Sequence, residues 1–290
     1  MEYDARKIEF VTPKDKLLLN GLWLGSKKPQ RVFIYLHGLS GSMFGGRQKL
    51  FRNLISKQDA VLMFNNRGSH IVSGFQAGKD GYRLFGAGLE VFTDCVLDID
   101  GAIAYAKKYK PKEIILVGHS TGCQKSVYWA YKKKNHGSVK SLILLAPMSD
   151  YAGTPKRLGI TTYNSLLKEA RMLVKKGKGS QLLSNLSTAV GIVSAQRFIS
   201  LYTPESTEEI FSYANPEKKA KILSKVKLPM HIVFAEKDKW MDRPLSKILE
   251  WFEVNVTSQE TLFSVIKGAD HGFHGKDKEV VSHIKKFLNV

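Results

Sequence analysis

Five residues carry the first chemical signal: Gly118-His119-Ser120-Thr121-Gly122. A serine with glycines two positions away on each side suits a sharp turn from a strand into a helix. An aliphatic run at residues 114–117 precedes it and an amphipathic stretch from residue 123 follows. At such a corner the backbone is strained and thrusts the hydroxyl above the sheet edge. Glycine is needed on both sides because a Cβ there would collide with the neighbouring strand or helix. A helix starting just behind the serine also offers free N–H groups and its positive dipole end to developing negative charge.

A serine nucleophile needs a base, and the base needs an orienting carboxylate. Five histidines follow Ser120: His136, His231, His271, His274 and His283. His231 opens an apolar run, and His136 and His283 fall on or near helical patterns. His271, in Gly268-Ala269-Asp270-His271-Gly272-Phe273, lies just past the last strand-like run. Loops at the carboxyl ends of parallel strands are where open α/β sheets hold their functional groups. His271 is therefore the favoured base and His274 the second choice. Asp238 directly follows the run at 231–234 and points to the same edge, which makes it the favoured acid. Asp242, four residues later, and Asp150, after the run at 142–145, stay open as alternatives.

These groups must be positioned by a sheet. Apolar runs at residues 32–36, 60–64, 114–117, 142–145, 231–234 and 261–266 read as strands covered on both faces, which implies a mostly parallel sheet. Stretches at 89–108, 123–134, 246–254 and 276–288 have helical apolar spacing. Residues 7–12 and 17–24 read as an antiparallel entry pair around Asn20-Gly21. The alternation predicts an α/β fold with helices on both faces of the sheet. The rhythm breaks between residues 146 and 231, where only helical patterns appear, at 163–176, 182–198 and 206–225. Ser206-Thr207-Glu208-Glu209 fits a capping box. A structureless loop of roughly 80 residues does not suit a compact domain, so a helical insertion over the sheet is expected.

Composition bounds the rest. The 290 residues are 43% hydrophobic, enough for a sizeable core. The longest apolar runs, such as 142–148, fall far short of a membrane span. The first ten residues lack the apolar segment of a signal peptide, so a cytoplasmic protein is expected. Two cysteines, Cys95 and Cys123, cannot build a disulfide scaffold or, without clustered histidines, a structural zinc site. The 45 Lys and Arg against 26 Asp and Glu give a net charge of +19. The excess is spread almost evenly, without an aromatic-interleaved basic stripe, so a basic surface rather than a nucleic-acid partner is expected.

Several residues invite a chemical role but have a plainer one. His37, in a strand-end His37-Gly38 turn, reads as structural. His119 is expected to pack beneath the turn, and Cys123 to be a small buried side chain. Asp94, Asp98 and Asp100 ride on an amphipathic helix without the spacing of a calcium loop, so a solvated or helix-end role is expected. Arg67, in the turn Asn65-Asn66-Arg67-Gly68, could order loops near the site.

The motif Gly-His-Ser-Thr-Gly, the order Ser, Asp, His and the His37-Gly38 turn after an early strand resemble the α/β-hydrolase family over nearly the whole chain. The longer stretch Gly-His-Ser-Thr-Gly-Cys-Gln is similar to a group of hydrolases whose substrates it does not fix. The resemblance implies an α/β-hydrolase core at residues 1–150 and 227–290 with a helical cap at 151–226. It implies a Ser120–His271–Asp238 triad and an oxyanion hole from the backbone N–H groups of Leu39 and Thr121. The implied activity is that of a serine hydrolase of carboxylic esters working through an acyl-enzyme, with no metal or cofactor. The substrate would be a small ester with an apolar acyl or aromatic part. A thioesterase, an amidase or peptidase, and a non-catalytic binding module of the same fold are the alternatives.

Overall fold

The computed structural model describes residues 5–79, 81–184, 191–217 and 219–290. Along the chain run β1 (Ala5–Val11), β2 (Leu18–Gly25), β3 (Arg31–Leu36), α1 (Gln48–Leu54), β4 (Asp59–Phe64), β5 (Ser73–Gln76) and β6 (Tyr82–Phe85). There follow α2 (Cys95–Lys107), β7 (Glu113–His119), α3 (Thr121–Lys132) and β8 (Val139–Leu145). Next are α4 (Thr154–Leu158), α5 (Ile160–Lys175), α6 (Ala195–Tyr202), β9 (Met230–Ala235), α7 (Leu245–Asn255), β10 (Thr261–Ile266) and α8 (Asp277–Leu288).

Eight strands form one sheet in the order β1-β2-β4-β3-β7-β8-β9-β10. β1 pairs antiparallel with β2, and β2 with β4; every other pairing is parallel. Sequence period explains the layering. Val32, Ile34 and Leu36 face one core with α2, α3 and α7, while Phe33 and Tyr35 face the other with α1 and α8. Residues i and i+2 of a strand share a face, so an unbroken apolar run feeds both cores. The carboxyl ends of β3, β7, β8, β9 and β10 consequently emerge at one edge.

Between β8 and β9 the chain builds a third core. Tyr163, Leu166 and Ala170 of α5 pack with Phe198, Leu201 and Tyr202 of α6 and with Ala87. Two buried ion networks tie the layers together. Arg197 on α6 donates to Ala87 O at 2.9 Å, to Glu90 at 2.9 Å and to Glu208, while Lys125 on α3 reaches Glu90 at 2.7 Å and Asn66 at 3.0 Å. Arg67 donates to Asp98 from its backbone N–H and its guanidinium, and also pairs with Asp15 and Asp94.

Four expectations differ from the structure. The entry pair turns at residues 12–17, and Asn20-Gly21 lies inside β2. There a Cβ on Gly21 would stand 2.6 Å from Met63 O, so close strand pairing, not a turn, demands the glycine. The pattern at 206–225 is irregular apart from a short 3-10 turn at Leu223–Lys225. Ser206 Oγ does accept the Glu209 N–H at 3.1 Å, but Pro216 interrupts any helix, and Ile210, Phe211 and Tyr213 join the main core instead. In the pattern at 182–198 helix begins at Ala195, Leu182 forms a bridge to Ser194, and residues 185–190 lie outside the described residues. Asp98 is not on a solvated face: it is buried, because it neutralises Arg67.

Candidate active site

The strand-to-helix corner is strained where the sequence places the serine. Ser120 has φ 54° and ψ −125°, a left-handed conformation costly for any residue with a Cβ. Its hydroxyl-bearing carbon is held there by close backbone packing on both sides. A Cβ on Gly118 would lie 2.4 Å from Gly122 O, and one on Gly122 would lie 2.1 Å from Leu36 O.

Ser120 and His271 both wall one cavity of about 250 Å³ at the carboxyl edge of the sheet. His271 Nδ1 lies 2.6 Å from Asp238 Oδ2. A carboxylate only accepts, so Nδ1 carries a proton and Nε2 is the ring nitrogen left to face another group. Asp238 is 8% exposed, and its second oxygen accepts the Trp240 N–H at 2.9 Å. Among the described residues no hydrogen bond joins Ser120 Oγ to His271. Such contacts commonly shorten only when substrate is bound. Leu39 also walls the cavity, whereas Thr121 does not. As the first residue of α3, Thr121 has an N–H with no acceptor inside its own helix.

The other candidates are engaged elsewhere. His274 is exposed and binds Asp270 at 2.7 Å. Asp242 pairs with Arg243 at 2.7 Å. Asp150 walls the cavity but hydrogen-bonds Gln124, not His271. Burial, then the nearby Glu208, pushes its carboxyl up to about 7. His37 Nδ1 donates to Gly38 O at 2.9 Å while Nε2 accepts the Asn66 N–H at 3.3 Å, which fixes a neutral ring. Burial and the charge of Lys125 lower its pKa to about 4. Cys123 is buried, its thiol pushed well above the ordinary range by burial and donating to Gly118 O and Leu145 O at 3.3 Å.

Sequence reasoning missed a clamp on the loop that carries His271. His119 Nε2 donates to His271 O at 2.8 Å, and Arg47 Nη1 donates to Gly272 O. Arg47 Nη2 also stands 3.4 Å from His119 Nε2. Burial, then Arg47 and His271, drives the His119 pKa well below its usual value, so the ring is neutral. His119 is a free choice in the turn motif and Arg47 lies in an irregular loop, so neither carried a signal.

The eight-stranded sheet and its helices define an α/β-hydrolase fold. The fold is shared with the esterase Pf2001 of Pyrococcus furiosus, with 16% identity and a TM-score of 0.62 over 99% of this chain and 92% of that one. It is also shared with the siderophore hydrolase EstB of Aspergillus fumigatus (16%, 0.69, 99% and 97%) and with the α/β hydrolase GrgF of Penicillium sp. sh18 (17%, 0.66, 98% and 98%). Within that fold, residues 81–289 match the family described as "Protein of unknown function (DUF1749)", and the chain belongs to it. No curated protein has a matching sequence. Among the described residues no helix is long and apolar enough to cross a membrane.

Proposed function

We propose that the protein is a serine hydrolase that cleaves carboxylic esters. The reading is carried by the 2.6 Å contact between His271 Nδ1 and Asp238 Oδ2 on the cavity that Ser120 shares. The Nε2 lone pair of His271 takes the Ser120 proton as Oγ attacks the ester carbonyl. Asp238 stabilises the imidazolium that results. The N–H groups of Leu39 and Thr121 receive the oxyanion, and each such donor typically lowers the barrier by about 3–4 kcal/mol. His271 then protonates the leaving alcohol, and water attacks the acyl-enzyme by the same route. No step calls for a metal or an organic cofactor.

Residues 151–226 would act as a cap on the core at 1–150 and 227–290. Arg157 and Tyr202, which border the cavity, come from this segment. Such a cover limits bulk water around the reacting groups while admitting the one that deacylates, and it shapes an acyl pocket with Met148 and Trp240. Thioester and amide cleavage pass through the same intermediates, and the names of the esterases that share the fold favour the ester.

A fluorophosphonate probe should label wild-type protein and leave Ser120→Ala unlabelled. Folded wild-type protein that resists the probe would instead make the cavity a binding site without catalysis. Rates on p-nitrophenyl esters of rising chain length then read the depth of the pocket.

A further inference from the structure

A second polar position sits on the cavity wall. Asp150 is only 7% exposed, yet it borders the same space as Ser120. Its Oδ2 accepts from Gln124 Nε2 at 2.9 Å. Among the described residues nothing donates to its Oδ1. The hydroxyl of Tyr202, another wall residue, is buried and likewise lacks a partner among the described residues. Asp150 Oδ1 is an acceptor that no donor among the described residues fills, on the wall of the cavity that Ser120 shares, so it is open to a group that the ligand supplies.

The charges around it select the kind of group. Arg157 borders the cavity, its guanidinium 5.4 Å from the centre of the Trp240 ring and donating to Thr154 Oγ1 at 2.8 Å. A cationic ligand would meet Arg157. An anionic ligand would meet Asp150 with Glu208 close by, although Arg197 partly offsets that charge. An uncharged hydroxyl meets neither penalty. It also suits a carboxyl held near neutrality, because it donates to the carboxylate and accepts from the acid.

We propose that Asp150 selects esters bearing a hydroxyl group in the portion that fills the cavity; this deepens, and rests on, the assignment of Ser120 as nucleophile. Asp150 is then a specificity residue, apart from the Ser120–His271–Asp238 set.

The test compares kcat/KM for p-nitrophenyl hexanoate and its ω-hydroxy counterpart. In wild-type protein the hydroxylated ester should be preferred about three- to tenfold, the worth of one hydrogen bond to an uncharged group. Asp150→Leu, similar in size but without an acceptor, should bring that ratio to about one. Asp150→Ala reads the same ratio should the leucine not fit. A wild-type ratio near one, or a ratio that survives both substitutions, overturns the proposal. If folded wild-type protein turns over neither ester, calorimetric binding of hexanol and the corresponding diol separates the two ideas. Tighter diol binding that Asp150→Leu abolishes keeps the hydroxyl site and removes the hydrolase; equal binding removes the hydroxyl site.

Discussion

His119, the residue immediately before the corner serine, donates from Nε2 to the main-chain carbonyl of His271 at 2.8 Å. The turn that presents Ser120 thus also grips the loop that presents the His271 ring, and Arg47 grips the next carbonyl along, at Gly272. Misplacing a reacting group by about 1 Å can cost a hundredfold in rate. His119→Ala should therefore lower kcat for p-nitrophenyl esters by roughly ten- to a hundredfold with KM little changed. His119→Gln, which can still donate, should recover most of it. Equal losses in both variants would count against a positioning role.

Asp238 and Asp242 are four residues apart but differ in their partners, one on His271 and the other on Arg243. Asp238→Asn should reduce kcat by about 10⁴, because an amide no longer holds the productive tautomer. Asp242→Asn should leave kcat within about threefold, since pairs of partly exposed charges of this kind are worth little. Steady-state rates of the two variants decide it, and a reversed order would move the acid.

Asp150 sets a pH signature on stability. Folded, its carboxyl holds a proton up to about 7, against an ordinary value of 3.8. Between those values the native state binds a proton that the unfolded chain has released, so the contribution of this group is full below pH 3.8 and fades as pH rises to 7. Asp150→Asn lacks that slope. Urea unfolding should show wild type losing up to about 4 kcal/mol relative to the variant across this window, with no further change above it. The buried His37 and His231 slope the other way, but they are common to both proteins and cancel. A pH-independent difference would contradict the assignment.

Arg197 is fully buried between Glu90 and Glu208. Left to burial alone Glu90 would have a raised pKa, yet Lys125 and Arg197 hold it below its ordinary value. Arg197→Met strands one or both carboxylates in the interior and should cost about 3–5 kcal/mol in chemical denaturation. A loss under about 1 kcal/mol would mean that solvent reaches this network.

The parts of the molecule legible in its sequence are those governed by local rules. β3, β4 and β7 to β9 announce themselves because strands covered on both faces must be apolar throughout. Ser120 is marked by two glycines that packing makes obligatory. Asp238 and His271 stand out by their positions past strand ends, and their side chains meet at 2.6 Å. Four-residue strands β5 and β6 were invisible, because they are mostly exposed and contain no apolar run. Arg47 and Gly272 are 225 residues apart, and no short-range pattern connects them. The stretch at 206–225 misled because its apolar residues have helical spacing while Pro216 and the main core govern where they go.

The left-handed backbone at Ser120 sets durability against reactivity at a single codon. Ser120→Gly would relax that dihedral pair and should raise the melting temperature while silencing the chemistry. A library sorted solely for heat resistance should accumulate glycine at this corner, and one sorted for turnover should purge it.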